Sequence, residues 1–245
     1  MSEIISIIPL LFILDKVSQI LYDNFAKNKT KHNHNARWFF IHTHINFLIC
    51  LLTWRDVKFS MNNLSTVIFT PATKRTTLAY HTAIIAHMYH IIIFFGKLTV
   101  HDWVHHLSMM GISGTVSYFS LTRVTGVALF FMSGLPGLID YTLLWGVKMG
   151  YIKWMFQKEI YSWIVSFLRG PGCLYSCFLA LPYLFGRPIS LNYIIIMINF
   201  IMTFWNGQYY TRLSCIDYGK KLSGLSYTQN PNGQNGGEKT KTHTP

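Results

Sequence analysis

Charge is what this sequence has least of. Only 12% of its 245 residues are Asp, Glu, Lys or Arg, and just nine of those are acidic. A soluble domain of this length carries about a quarter charged residues, so the composition excludes an ordinary water-soluble fold. Cysteine is scarce too. Cys50, Cys173, Cys177 and Cys215 form no CxxC and three lie in apolar stretches, which argues against a disulfide framework or a cysteine zinc site. The opening MSEIISIIPLLFIL lacks a basic leader and a small-residue cleavage site, so it reads as a retained signal anchor. No internal repeat stands out. Between residue 106 and His243 there is no histidine at all.

What is present is apolar. Half the chain (51%) is hydrophobic, 16% is aromatic, and the mean hydropathy is +0.28. Windows near the 20 residues needed to span a bilayer fall at 3–22, 38–54, 78–96, 98–119, 124–147, 161–185 and 189–207. The expectation is an all-α, polytopic membrane bundle of six to seven transmembrane helices, the first in question because Asp15 and Lys16 interrupt it. Residues 1–34 read as an anchor helix and a basic cytosolic loop, 35–220 as the transmembrane domain, and 221–245 as a polar, disordered tail.

The net charge of +12 does not point to nucleic acid, because the basic residues sit between apolar runs rather than in one patch. They report topology instead. With seven spans, thirteen Lys and Arg residues flank one side and six the other, which places the tail in the cytosol.

Position then becomes depth. At 1.5 Å of rise per residue, His90, His105, His106, Asp140, Arg169 and Asn199 all come out about 9–12 Å below the cytosolic edge. Intramembrane polar groups normally face a bundle interior or a wet cavity, so one shared cavity is expected. The densest stretch is HDWVHH (101–106), where Asp102 lies three and four residues before His105 and His106 and can reach either ring. A carboxylate on one ring nitrogen raises the basicity of the other and prepares a general base. His42, His44 and His87 read as interfacial histidines, and His81 as facing the opposite headgroups. SGLPGLIDY (133–141) and RGPG (169–172) predict helix bends beside Asp140 and Arg169, which can pair with each other.

The run DWVHHLSMMGISGTVSYFSLTRVTGVALFFMSGLPGLIDYTLLWGVKMGY (102–151) resembles the TLC domain, shared by ceramide synthases and translocating-chain-associated membrane proteins. The carrying residues are His105–His106, Ser117–Tyr118 with Arg123, Asp140–Tyr141 and Lys148–Met149, and NARWFF (35–40) is similar to the start of such a domain. The resemblance implies that the paired histidines match the catalytic pair of enzymes that acylate a sphingoid base from acyl-CoA. It also suggests the endoplasmic reticulum. Gly137 and Pro136 stand where the synthase pattern carries an aspartate and a histidine, and no homeobox-like segment precedes the domain, which favours a non-synthase branch.

The functional expectation is a role in lipid metabolism or homeostasis with membrane lipid as partner. As an enzyme the chain would be an acyltransferase. His105 or His106 would be the base, Asp102 its orienter and Asp140 the support of the second ring, while Arg169, His90 and Asn199 would bind substrate. No cofactor or metal is expected, with acyl-CoA a candidate substrate. A non-catalytic lipid sensor or chaperone ranks second. A di-iron hydroxylase ranks third: H-x3-HH matches one histidine box, but such sites need about eight ligands.

Overall fold

The computed structural model describes residues 6–27 and 34–228. Among them the chain forms seven helices and no strand beyond an isolated bridge between Pro71 and Thr122. They are α1 (Ile7–Phe25), α2 (His34–Asn62), α3 (Lys74–Phe94), α4 (Val100–Tyr118), α5 (Arg123–Lys148), α6 (Trp154–Gly186) and α7 (Leu191–Thr228). The fold is all-α. Three stretches, Lys74–Lys97, Arg123–Lys148 and Trp154–Gly186, are long and apolar enough to cross a membrane.

The distribution of polarity is inside-out. Ile20, Ile92, Phe167 and Phe178 are among many large apolar side chains more than half exposed, while Asp15, Asp56, His106, Gln157 and Asn206 are buried. Apolar atoms facing outward cost nothing in lipid, whereas polar groups must find partners inside. The buried groups do so between helices. Thr76 donates to Asp56 at 2.6 Å, joining α3 to α2, and Ser133 donates to Asn46 at 2.8 Å, joining α5 to α2. Gly137 lets α2 and α5 approach closely, since a Cβ there would stand 2.5 Å from Asn46 Nδ2.

Consecutive helices alternate in direction. The α2–α3, α4–α5 and α6–α7 connections share one end, where Ala72 donates to the Leu121 carbonyl and Arg187 lies over the Phe69 ring. The α3–α4 and α5–α6 connections lie at the other, where Lys27 donates to the Met149 carbonyl. Asp15, the residue that brought the first segment into question, is held by Arg37 of α2 through two bonds of 2.6 and 2.5 Å and by Tyr89 of α3 at 2.9 Å.

Three helices are not uniformly α. Leu107–Gly114 in α4, Phe130–Gly134 in α5 and Val165–Arg169 in α6 are π-helical. The last two end two residues before Pro136 and Pro171. A proline ring collides with the carbonyl four residues back and donates no bond to it, and widening the preceding turn relieves both problems without stopping the helix. The bends expected at SGLPG and RGPG are therefore widenings, and both helices run on through them.

The C-terminal boundary also differs from expectation. Instead of ending near 207, α7 runs 38 residues from Leu191 to Thr228, past the expected tail boundary at 221. Residues 229–245 of the expected tail lie outside the described residues, as do 1–5 and 28–33 of the N-terminal segment.

Candidate functional site

Helices α2 to α7 line a cavity of about 330 Å³. One end is polar, lined by His42, His87, Asp102, His105, Asp140 and Arg169 together with Tyr141, Tyr161, Asn206 and Tyr210. The rest is walled mainly by apolar side chains, including Ile84, Met109, Met110, Ala128, Met132, Ile196 and Phe200, with hydroxyls and one amide (Ser117, Ser120, Thr122, Thr125 and Asn199) among them.

Helix α4 brings its histidines to the polar end through a short N-terminal α turn. Thr99 caps that turn: its hydroxyl accepts from Asp102 N, while Asp102 Oδ2 accepts from Thr99 N at 2.8 Å and Thr99 Oγ1 at 2.7 Å. This corrects the expected role of Asp102. Its carboxylate closes a reciprocal capping box and makes no hydrogen bond to His105 or His106. T-x-x-D ahead of an apolar run is the sequence signature of such a box, so the signal was there to be read.

His105 is engaged elsewhere. Its Nδ1 lies 2.8 Å from the Tyr210 hydroxyl of α7, and its Nε2 is 3.4 Å from Nε2 of His87 on α3. His87 in turn places Nδ1 2.7 Å from the Ala83 carbonyl. His106 is buried, with Nε2 3.1 Å from Nδ1 of His90. Trp38 of α2 stacks on the His90 ring at 3.5 Å and 17° and meets His42 edge-on. His90 and His106 thus sit behind the cavity wall, whereas His87 and His105 face it. His87, read from sequence as interfacial, belongs to the centre of the cluster. Two of the expected single histidines do behave simply: His44 and His81 each place Nδ1 within 2.9 Å of a backbone carbonyl one turn back.

Asp140 and Arg169 both reach the polar end, but they do not pair. Asp140 accepts from Gln157 Nε2 at 2.6 Å, and Arg169 donates to Asn206 Oδ1 at 2.8 Å and to the Tyr161 hydroxyl at 3.2 Å. The guanidinium also lies 4.5 Å over the Tyr210 ring, which ties it to the histidine cluster. Gln157 Oε1 and Arg169 Nε are buried with no hydrogen-bond partner among the described residues. Among the described residues Asp140 makes no hydrogen bond to a histidine, and an amide partner stands where support of a second ring was expected.

Asn199 does not join the layer. It accepts from Ser117 at 2.8 Å and donates to Ser120 at 3.4 Å. That contact lies 12 residues along α4 from His105, about 18 Å by helical rise. The expected depth failed because the cytosolic end of α7 was taken near 207, and the helix runs on. Asn206 and Tyr210, one turn apart on α7, occupy the level assigned to Asn199. Gln157, Tyr161, Asn206 and Tyr210 were not singled out from sequence, because the depth of the polar residues on α6 and α7 was counted from span ends that the helices overrun.

The chain was compared with protein-family models, with curated proteins and with solved structures, and none matches.

Proposed function

We propose that this chain is a multi-pass membrane protein of lipid metabolism or homeostasis, in which the cavity receives one amphiphilic lipid. The observation that supports this is a cavity with its charged and histidine side chains at one end and a mainly apolar lining elsewhere, within an inside-out helical bundle. An acyl chain would lie among Met109, Met132, Ile196 and Phe200, and a headgroup or carbonyl would meet His105, Arg169 and Tyr210. Arg169 lines the cavity and its Nε has no hydrogen-bond partner among the described residues, so it has a donor left for that headgroup. Cavities of this kind bind ligands mainly by apolar lining and orient them by a few polar groups.

In this reading the bundle has six or seven spans, the C-terminal end faces the cytosol and the membrane is that of the endoplasmic reticulum. The TLC resemblance over 102–151 supplies the reaction class, acyl transfer, with acyl-CoA as the donor. A non-catalytic lipid carrier or sensor is the second reading, and one observation favours it. Asp102 is held by Thr99, so the His–Asp dyad expected of the base does not form.

Lipid extraction from purified protein, followed by mass spectrometry, tests the cavity. One lipid class should be enriched in wild type and depleted in Ala128→Phe, which fills the apolar part of the cavity. Equal lipid in both proteins rejects the proposal. Lipid profiles of cells expressing wild type or His105→Ala then separate carrier from catalyst. Loss of a general base slows turnover about 100- to 10,000-fold, and a carrier changes no product ratio.

A further inference from the structure

Three imidazoles meet beside the cavity in a geometry that lipid binding alone does not call for. The rings of His87, His105 and His106 form a nearly equilateral triangle with centroid separations of 5.5, 5.4 and 5.4 Å. One ring nitrogen from each lies within 4.8 Å of the other two, and the His87 and His105 Nε2 atoms are 3.4 Å apart. Zinc–imidazole bonds of about 2.0–2.1 Å at tetrahedral angles put ligand nitrogens about 3.4 Å apart and ring centres about 5.2 Å apart. The pair is already at that spacing, and the third ligand closes by a shift on the order of 1 Å.

The far side of each ring is held in place. His87 Nδ1 sits 2.7 Å from the Ala83 carbonyl, which fixes the proton there and leaves a lone pair on Nε2. His105 Nδ1 is on the Tyr210 hydroxyl, and His106 Nε2 is on His90, itself stacked against Trp38. Metal-binding histidines are oriented in this way, with the nitrogen away from the metal engaged by a carbonyl, hydroxyl or other polar partner. The remaining nitrogen of His106, Nδ1, is buried and has no hydrogen-bond partner among the described residues. A ring nitrogen left unmatched inside a bundle is costly, and a metal ion on its lone pair, with the proton on Nε2 towards His90, relieves it.

We infer that His87 Nε2, His105 Nε2 and His106 Nδ1 form a zinc site. Three neutral nitrogen donors at tetrahedral spacing suit zinc, whereas non-haem iron ordinarily takes a carboxylate beside its histidines. His87 and His105 face the cavity, so the fourth position opens onto it and takes water or an oxygen of the bound lipid. This departs from the expectation of no metal, which asked for four or more histidines converging on iron or zinc. The site adjoins the proposed lipid cavity but stands on its own geometry, and a metal assay reads it whether or not lipid binds.

The test uses the full chain, purified in detergent through a tag without histidine. It is equilibrated with zinc, freed of excess, and analysed by mass spectrometry for metal. Wild type and His81→Ala should retain on the order of one zinc per chain, and His87→Ala, His105→Ala and His106→Ala should each lose at least about tenfold. Cobalt added to wild type should give the intense visible bands of four-coordinate tetrahedral cobalt, a readout that needs no variant. Wild type that stays free of zinc and shows no such bands overturns the site and leaves Tyr210, His105, His87 and Ala83 as a hydrogen-bonded chain. Zinc kept in all three variants overturns it as well, because the metal would then lie elsewhere.

Discussion

Two buried carboxylates, Asp15 and Asp140, sit in the same bundle and are treated in opposite ways. Asp15 takes two bonds from Arg37 and a third from Tyr89, so its charge is neutralised and both oxygens are occupied. Asp140 takes one bond from the neutral amide of Gln157, and the nearby cation Arg169 is committed to Asn206 and Tyr161 instead. The Asp15 cluster faces no part of the cavity, whereas Asp140 and Arg169 line it. A closed ion pair fastens α1 to α2 and α3. An open set of polar groups, with a donor of Arg169 to spare, is what a ligand can complete.

The largest effect should come from opening the closed pair. Arg37→Ala leaves Asp15 buried with only Tyr89 as partner, and removing one member of a buried ion pair costs about 3–5 kcal/mol. Thermal unfolding in detergent should show that loss, and a loss under about 1 kcal/mol would mean that α1 is not held by this pair. The next effect falls on ligand rather than fold. Arg169→Gln should lower retention of the extracted lipid by about tenfold or more, the worth of a hydrogen bond from a charged group, and unchanged retention would place the headgroup elsewhere.

Gly137→Ala probes the backbone that carries Asp140. Its Cβ would press on Asn46, and overpacking of this sort costs about 1–3 kcal/mol. Unchanged stability by denaturant titration would show that α2 yields there. The smallest effect is expected for Asp140→Asn, which keeps an oxygen acceptor for Gln157 and should change stability by less than about 1 kcal/mol. A loss as large as that of Arg37→Ala would erase the contrast between the two carboxylates.

The sequence carried the helical class well, because six of the seven apolar windows mark helices whose ends lie within about one to two turns of the expected positions. It carried partners poorly. Asp15 looked like a flaw in an apolar segment, since its mate is 22 residues away on another helix and no local pattern links them. Asp102 was misread for the opposite reason: two local rules, the i to i+4 reach to histidine and the capping box with Thr99, applied to one carboxylate, and the cap took it. Arg169, His105 and Asp140, expected at one level from loop charges and helical rise, do line one cavity. Asn199 was not, because a helix that leaves the apolar zone without a break shows no end in its hydropathy.

The π-helical stretches make the site depend on counting residues. Each widened turn holds one residue more than an α turn, so every side chain beyond it is rotated from where a regular helix would point it. In α5 that offset falls immediately before Asp140, and in α6 it carries Arg169 itself. Deleting a single residue from Phe130–Gly134 would let the turn relax to α and leave Asp140 facing nearly the same way, whereas deleting one between Leu135 and Ile139 would swing it by about 100°, out of line with Gln157. The cavity is therefore sensitive to changes in length at positions where it tolerates changes in side chain, and insertion–deletion scanning of these helices would trace its outline as sharply as substitution.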